Sequence, residues 1–178
     1  MAAIKLTKLY TQITKTITEK KSAVSLQTVW TNPIHYTACC FGIGCLPLMP
    51  GTYATILSVG LYLILVKFSI VTFISILILL NIAGIWLCGK TNKDIGCNDH
   101  PAACFDELAT FPICLIGVPF SWTQIIIAFI LFRVLDILKP PPINYIDKNM
   151  HGGLGVMLDD VVAALITLAC MHFLLFFH

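Results

Sequence analysis

The chain has 178 residues, of which 58% are hydrophobic and 11% charged, with a mean hydropathy of +0.89. A soluble globular chain carries about a quarter charged residues, so this composition excludes an ordinary water-soluble domain and indicates an integral membrane protein of one domain. The net charge of +2, with no basic patch interleaved with aromatics, argues against a nucleic-acid partner.

Residues 1–30 carry Lys5, Lys8, Lys15, Lys20 and Lys21 against one acid, Glu19. Leu6, Leu9, Ile13 and Ile17 fall at helical spacing, which suits a basic helix on a membrane surface; a solvated tail is the competing reading. No apolar run follows these lysines, so a cleaved signal peptide is not expected. The segment 34–49 is apolar but short, and Gly42, Gly44, Pro47 and Pro50 interrupt it. A spanning helix needs about 20 apolar residues, so this segment is expected to be re-entrant or interfacial. Thr52 is placed to cap the helix that follows.

The remaining pattern predicts an all-α, polytopic helical membrane protein with about five membrane helices. They are read at about Tyr53–Val66, Ile70–Cys88, Glu107–Val118, Thr123–Leu138 and Asp160–Phe177, several of them shorter than a full span. The expected organisation is a basic, cytoplasmic segment over 1–30 and a membrane-embedded domain over 31–178. Helix parity puts Thr52 and the polar loops 89–106 and 139–159 on one face, together with ten of the eleven basic residues. By the positive-inside rule that face is cytoplasmic and the C-terminus lies outside.

Eight of the nine acids lie between Asp94 and Asp160. Ionisable groups within an apolar chain mark function by default. Asp106-Glu107 and Asp159-Asp160 each stand at a predicted helix start, with Asp136 near the end of a third helix. Adjacent carboxylates point about 100° apart on a helix, so two such pairs can enclose a hard cation. Asp106, Glu107, Asp136, Asp159 and Asp160 are therefore the candidate metal ligands. Arg133, Asp136 and Lys139 share one helix face. Either Arg133 and Asp136 form a structural ion pair, or Arg133 and Lys139 hold phosphate oxygens while Asp136 faces the metal. His151, before Gly152-Gly153, either donates to phosphate or supports its loop. Asp94, Asp99 and His100 read as solvated loop residues, and His35, His172 and His178 as isolated. Seven cysteines sit in or beside apolar runs and read as small hydrophobes; Cys97, beside Asn98-Asp99-His100, stands apart.

These pieces resemble the phosphatidylglycerophosphatase A family. The match comprises Gly42-x-Gly44-x-x-Pro47-x-x-Pro50-Gly51-Thr52, Asp106-Glu107, Phe132-Arg133-x-x-Asp136-x-x-Lys139-Pro140-x-Pro142-Ile143 and Gly152-Gly153-x-Gly155-x-Met157-x-Asp159-Asp160, with Lys93-Asp94-Ile95-Gly96 and Asp99-His100 less diagnostic. The resemblance implies a magnesium-dependent membrane phosphatase that converts phosphatidylglycerophosphate to phosphatidylglycerol and inorganic phosphate. It further implies a bacterial inner-membrane location, and it adds Thr52 to Arg133, Lys139 and His151 as a candidate phosphate contact. One of Asp106, Asp136, Asp159 and Asp160 must serve as base or nucleophile, and the sequence leaves open which. Ala54-Thr55, Thr110 and Ala163-Ala164 depart from the family's usual small residues, so slightly wider helix packing is expected. A phosphatase for another lipid phosphate is the nearest rival. A divalent-cation transporter is more distant, because the acids gather at helix ends and the sequence carries no internal repeat.

Overall fold

The computed structural model describes residues 26–177. The basic stripe Leu6–Ile17, most of the 1–30 segment and His178 lie outside the described residues. Those described are helical, with no strand among them. In order they are α1 (Leu26–Thr31), α2 (Pro33–Ala38), a 3-10 turn (Ile43–Cys45), α3 (Pro50–Leu65) and α4 (Ile70–Ile95). Then come α5 (Phe105–Thr110), a second 3-10 turn (Phe111–Leu115), α6 (Trp122–Leu138), α7 (Ile143–Asn149) and α8 (Gly152–Phe176).

Local chemistry sets several of these boundaries. Ser69 accepts a hydrogen bond from the Thr72 N–H at 3.3 Å and opens α4, and Gly96 closes it at φ 77°, a left-handed turn that suits glycine. Pro33 and Pro50 occupy first turns, where a missing N–H costs nothing.

Among the described residues two helices, α4 and α8, are long and apolar enough to cross a membrane. At about 1.5 Å per residue they extend about 38 Å, beyond the ~30 Å of a bilayer's hydrocarbon. Along α4 the large side chains Val71, Leu79, Ile82 and Trp86 are all well exposed, as on a lipid-facing surface rather than a soluble core helix. Among the described residues the five-helix reading is thus met in full by two helices. The run read as Glu107–Val118 is not one helix: Pro112 lacks an N–H, and the chain tightens there into the 3-10 turn.

Other boundaries differ too. α4 continues seven residues past Cys88. α8 begins at Gly152, so Asp159 and Asp160 sit two turns inside it rather than in its first turn. The glycines there serve packing, not a loop. A Cβ on Gly153 would overlap the Ile85 carbonyl and stand 2.8 Å from Gly89 Cα, so α4 and α8 cross backbone to backbone. Thr52 does not cap α3, because Met49 holds the N-cap position and Thr52 is the third helical residue. The 34–49 segment forms no span, as expected: it is α2 and a turn, with positive φ at Cys40, Phe41, Gly42 and Leu48.

The bundle has two distinct ends. At one, Tyr62, Leu65, Phe73, Leu115 and Val118 line an apolar cavity of about 190 Å³, and the His172 ring lies 2.9 Å from the Ile116 carbonyl through Nε2. At the other, the charged side chains converge. Between them runs a core of Tyr62, Phe111, Phe132, Ile143, Met171 and their neighbours. Ala54, Thr55, Thr110, Ala163 and Ala164, the positions that depart from the family's pattern, are all fully buried. Cys39, Cys40, Cys88, Cys104 and Cys114 are buried too, as small hydrophobes should be.

Two histidines read as isolated are not. His172 holds the contact just described, and His35, buried, meets Asp94 at 3.1 Å across 59 positions, with Lys90 on the same carboxylate at 2.5 Å. Such long-range pairs leave no periodic signal in a sequence.

Candidate active site

The short helix α5 brings Asp106 and Glu107 to the charged end of the bundle, and the third turn of α8 brings Asp160. One carboxylate oxygen from each lies within 4.8 Å of the others. Asp106 and Asp160 are buried. Asp160 Oδ2 and Glu107 Oε2 are buried without a hydrogen-bond partner among the described residues. Three carboxylates this close repel one another unless protons or a cation intervene.

Arg133 on α6 closes one side. Its Nη1 donates to Asp136 Oδ2 at 2.6 Å and lies 3.5 Å from Glu107 Oε1. Its Nε is buried and unpartnered. Gly51, in the first turn of α3, packs against the same pair, and a Cβ there would overlap Glu107 Oε1 and stand 3.1 Å from Arg133 Nη2. Only glycine admits this approach. Beside it, Thr52 Oγ1 is buried without a partner.

Lys139 leads a second group. It caps α6 in a left-handed conformation, φ 43°, that few non-glycine residues adopt. Its Nζ donates to Asp159 Oδ2 at 2.6 Å and Asp147 Oδ1 at 2.5 Å. Burial alone would push the ammonium down, but these two hydrogen bonds outweigh it and hold Lys139 above the ordinary lysine value. Asp159 and Asp147, with Asn98, Asp99, His151 and Gly152, line a pocket of about 140 Å³. His151 is exposed and its side chain does not cap α8.

The loop beneath this pocket is fixed by Asn92, which is almost fully buried. It donates to the Asn98 carbonyl at 3.2 Å and accepts the His100 N–H at 3.1 Å. His100 Nδ1 in turn accepts the Ala102 N–H at 3.1 Å, which requires the neutral ring. Burial lowers the His100 pKa, against the opposing charge of Asp99, and keeps that form.

The structure therefore gathers the sequence-predicted residues in two adjoining groups. Asp106, Glu107 and Asp160 stand together, with Arg133, Asp136 and Thr52 around them. Asp159 points instead to Lys139, alongside His151. Asp147 and Asn92 were not singled out from sequence; a charge on the eighth residue past Lys139 was the one available hint for Asp147, and nothing marked Asn92.

Six carboxylates (Asp106, Glu107, Asp136, Asp147, Asp159, Asp160) face two cationic side chains, Arg133 and Lys139. That imbalance, with the two orphaned carboxylate oxygens, suits a divalent cation bound by oxygen donors.

Residues 36–175 match the family model described as phosphatidylglycerophosphatase A. The chain is 37% identical over 145 residues to the phosphatidylglycerophosphatase A of Escherichia coli, covering 80% of this chain and 84% of that one. It is 40% identical over 136 residues to the Haemophilus influenzae protein of the same name, covering 75% and 83%. A Bacteroides thetaiotaomicron protein, named provisionally as a phosphatidylinositol-3-phosphatase, is 36% identical over 131 residues, covering 69% and 81%. No solved structure matches the chain. With the family's carboxylate, arginine and lysine motifs meeting at one end of an apolar bundle, and the match running through nearly all of the described residues, the chain belongs to the phosphatidylglycerophosphatase A family.

Proposed function

We infer that the protein is a bacterial inner-membrane phosphatase that hydrolyses the terminal phosphomonoester of phosphatidylglycerophosphate, leaving phosphatidylglycerol and inorganic phosphate in phospholipid synthesis. The observation that carries this reading is the close set of Asp106, Glu107 and Asp160 beside Arg133 at the end of an apolar bundle. A substrate anchored by its tails presents its headgroup at that depth.

Phosphate monoester hydrolysis is accelerated mainly by positioning and charge neutralisation. Asp106, Glu107 and Asp160 would hold magnesium, with Asp136 close by; when bound, the metal polarises the phosphoryl group and acidifies a water. Arg133, anchored through Nη1 by Asp136, has Nε and the rest of its fork for phosphate oxygens. The Thr52 hydroxyl, unpartnered in the first turn of α3, is a further donor, aided by the positive end of that helix. Lys139 holds Asp159 and Asp147 in place and adds positive charge behind these two lining residues.

In this reading the five segments of the core all traverse the bilayer, with α3 and α6 short and the α5 segment broken. The charged end faces the cytoplasm, as the distribution of lysine and arginine favours. The decisive experiment is phosphate release from purified protein with phosphatidylglycerophosphate, phosphatidate and a phosphorylated phosphatidylinositol, each with and without magnesium. Preferential, magnesium-dependent turnover of phosphatidylglycerophosphate is expected. The name carried by the Bacteroides relative motivates the second reading, a phosphatase of broader headgroup range, and comparable turnover of all three lipids would favour it.

A further inference from the structure

The residues that hold α5 in place lie outside the site, and they answer a defect in the chain. Asp106 and Glu107 are the second and third residues of a helix only six residues long. So short a helix has little stability of its own. It also runs into Pro112, which removes one backbone donor from its last turn. An N–H at position 112 would bond the Leu108 carbonyl in α geometry or the Ala109 carbonyl in 3-10 geometry. Proline has neither to give.

Both of those carbonyls are met by side chains from neighbouring helices. Ser58 Oγ, on α3 and fully buried, donates to the Leu108 carbonyl at 2.7 Å. Asn81 Nδ2, on α4, donates to the Ala109 carbonyl at 3.3 Å while also holding the Leu77 carbonyl of its own helix at 2.9 Å. At the upper end, the Cys104 carbonyl receives the Cys40 thiol at 3.1 Å, and Thr110 Oγ1 bonds back to the Asp106 carbonyl at 2.7 Å. Hydrocarbon offers no water to replace such donors, so each is needed where it stands.

We propose that Ser58 and Asn81 are positioning residues for the reaction: they replace the hydrogen bond that Pro112 cannot make, and so fix the height and rotation of α5 and of its carboxylates Asp106 and Glu107. The inference rests on reading those two carboxylates as working groups. Polar side chains in the middle of two lipid-embedded helices then have a role, although neither touches the substrate. A displacement on the order of 1 Å at reacting groups lowers turnover about a hundredfold, so a small slip of α5 suffices.

The test compares Ser58→Ala in two backgrounds, the natural chain and Pro112→Ala, which restores the missing N–H. In the natural chain, Ser58→Ala should lower kcat per folded molecule roughly ten- to hundredfold with KM little changed, since headgroup contacts remain. In the Pro112→Ala background the same substitution should lower kcat less than about threefold, because a backbone donor now serves the carbonyl. Asn81→Leu should act in the same direction as Ser58→Ala and more weakly, given its longer bond. Should Ser58→Ala not accumulate, Ser58→Cys, a weaker donor, is compared in the two backgrounds instead. A role confined to stability would lower the melting temperature and leave kcat per folded molecule intact, and that result overturns the proposal. An equal loss of kcat in both backgrounds overturns it too. If no lipid phosphate is hydrolysed by the natural protein, the functional reading fails. The hydrogen-bond replacement is then decided by melting alone: a drop caused by Ser58→Ala that vanishes with Pro112→Ala supports it, and equal drops overturn it.

Discussion

Arg133 and Asp136 separate catalysis from scaffolding. Each side chain is about one-seventh exposed, and they meet at 2.6 Å with Glu107 at 3.5 Å from the same guanidinium nitrogen. Breaking a buried pair by removing one partner costs about 3–5 kcal/mol; here Glu107 remains to hold Arg133, so the lower end, about 3 kcal/mol, is expected for Asp136→Asn. If the pair is only structural, neutralising both ends (Arg133→Met with Asp136→Asn) should recover most of that stability, and activity should return with it. If Arg133 binds phosphate, the double variant folds and stays inactive. Arg133→Lys is the finer probe, since it keeps the charge but loses the fork. By analogy with the loss of one oxyanion-hole donor, about 2.7–4 kcal/mol, kcat should fall roughly 10²- to 10³-fold. The assay is phosphate release normalised to folded protein, beside thermal unfolding in detergent. An active Arg133→Lys, or a double variant whose turnover recovers with its melting temperature, refutes the catalytic reading.

Neutralising the crowded acids separately, as Asp106→Asn, Glu107→Gln and Asp160→Asn, should abolish turnover; Asp106→Asn and Asp160→Asn should leave the metal-free melting temperature equal or higher, because each relieves like-charge repulsion, whereas Glu107→Gln also weakens the hold on Arg133; full activity in all three ends the assignment. Thr52→Val removes a buried hydroxyl that has no partner in the fold, so stability should hold or rise while kcat/KM falls, and unchanged kinetics would make Thr52 a packing residue. Gly153→Ala inserts a methyl against the Ile85 carbonyl and Gly89, and should destabilise by about 1–3 kcal/mol in thermal melts. Reporter tags in the 96–104 loop and beside α7 should both read cytoplasmic and a C-terminal tag external; opposite readings for the two loops would break the shared site.

Much of this was legible because charge is conspicuous in an apolar chain. Asp106, Glu107, Arg133, Asp136 and Asp160 stood out as acids and a base where lipid would tolerate none, and the fold brings them within reach of one another. Helix ends were read less well, for two physical reasons. Gly152, Gly153 and Gly155 have poor helix propensity, yet the close crossing with Gly89 makes a helix there the better-packed choice, and so Asp159 and Asp160 lie two turns deep. At Pro112 the reverse holds: the hydrophobic run continues while the backbone cannot, and only the partners Ser58 and Asn81 reveal how the break is tolerated. Contacts such as Lys139 with Asp147, or His35 with Asp94, join residues whose spacing carries no period at all.

The division of labour between the two cations follows from their partners. Lys139 has both of its hydrogen bonds on carboxylates 12 positions apart, Asp147 and Asp159, and so ties α7 to α8 beside the pocket those two acids line. Arg133 engages Asp136 and Glu107 through Nη1, and its buried Nε has no hydrogen-bond partner among the described residues. A guanidinium can hold a carboxylate with one edge and a phosphate with another, whereas an ammonium is a single point charge. The sequence alone ranked Arg133 and Lys139 together as phosphate ligands. For the proposed reaction their surroundings rank them apart: Arg133 has an unpartnered N–H that a phosphate would use, and Lys139 would have to loosen an existing bridge to offer any. Lys139→Met should accordingly disturb the α7–α8 junction and melting temperature first, and Arg133→Lys should disturb turnover first. Equal losses of turnover at unchanged stability would return both residues to the same role.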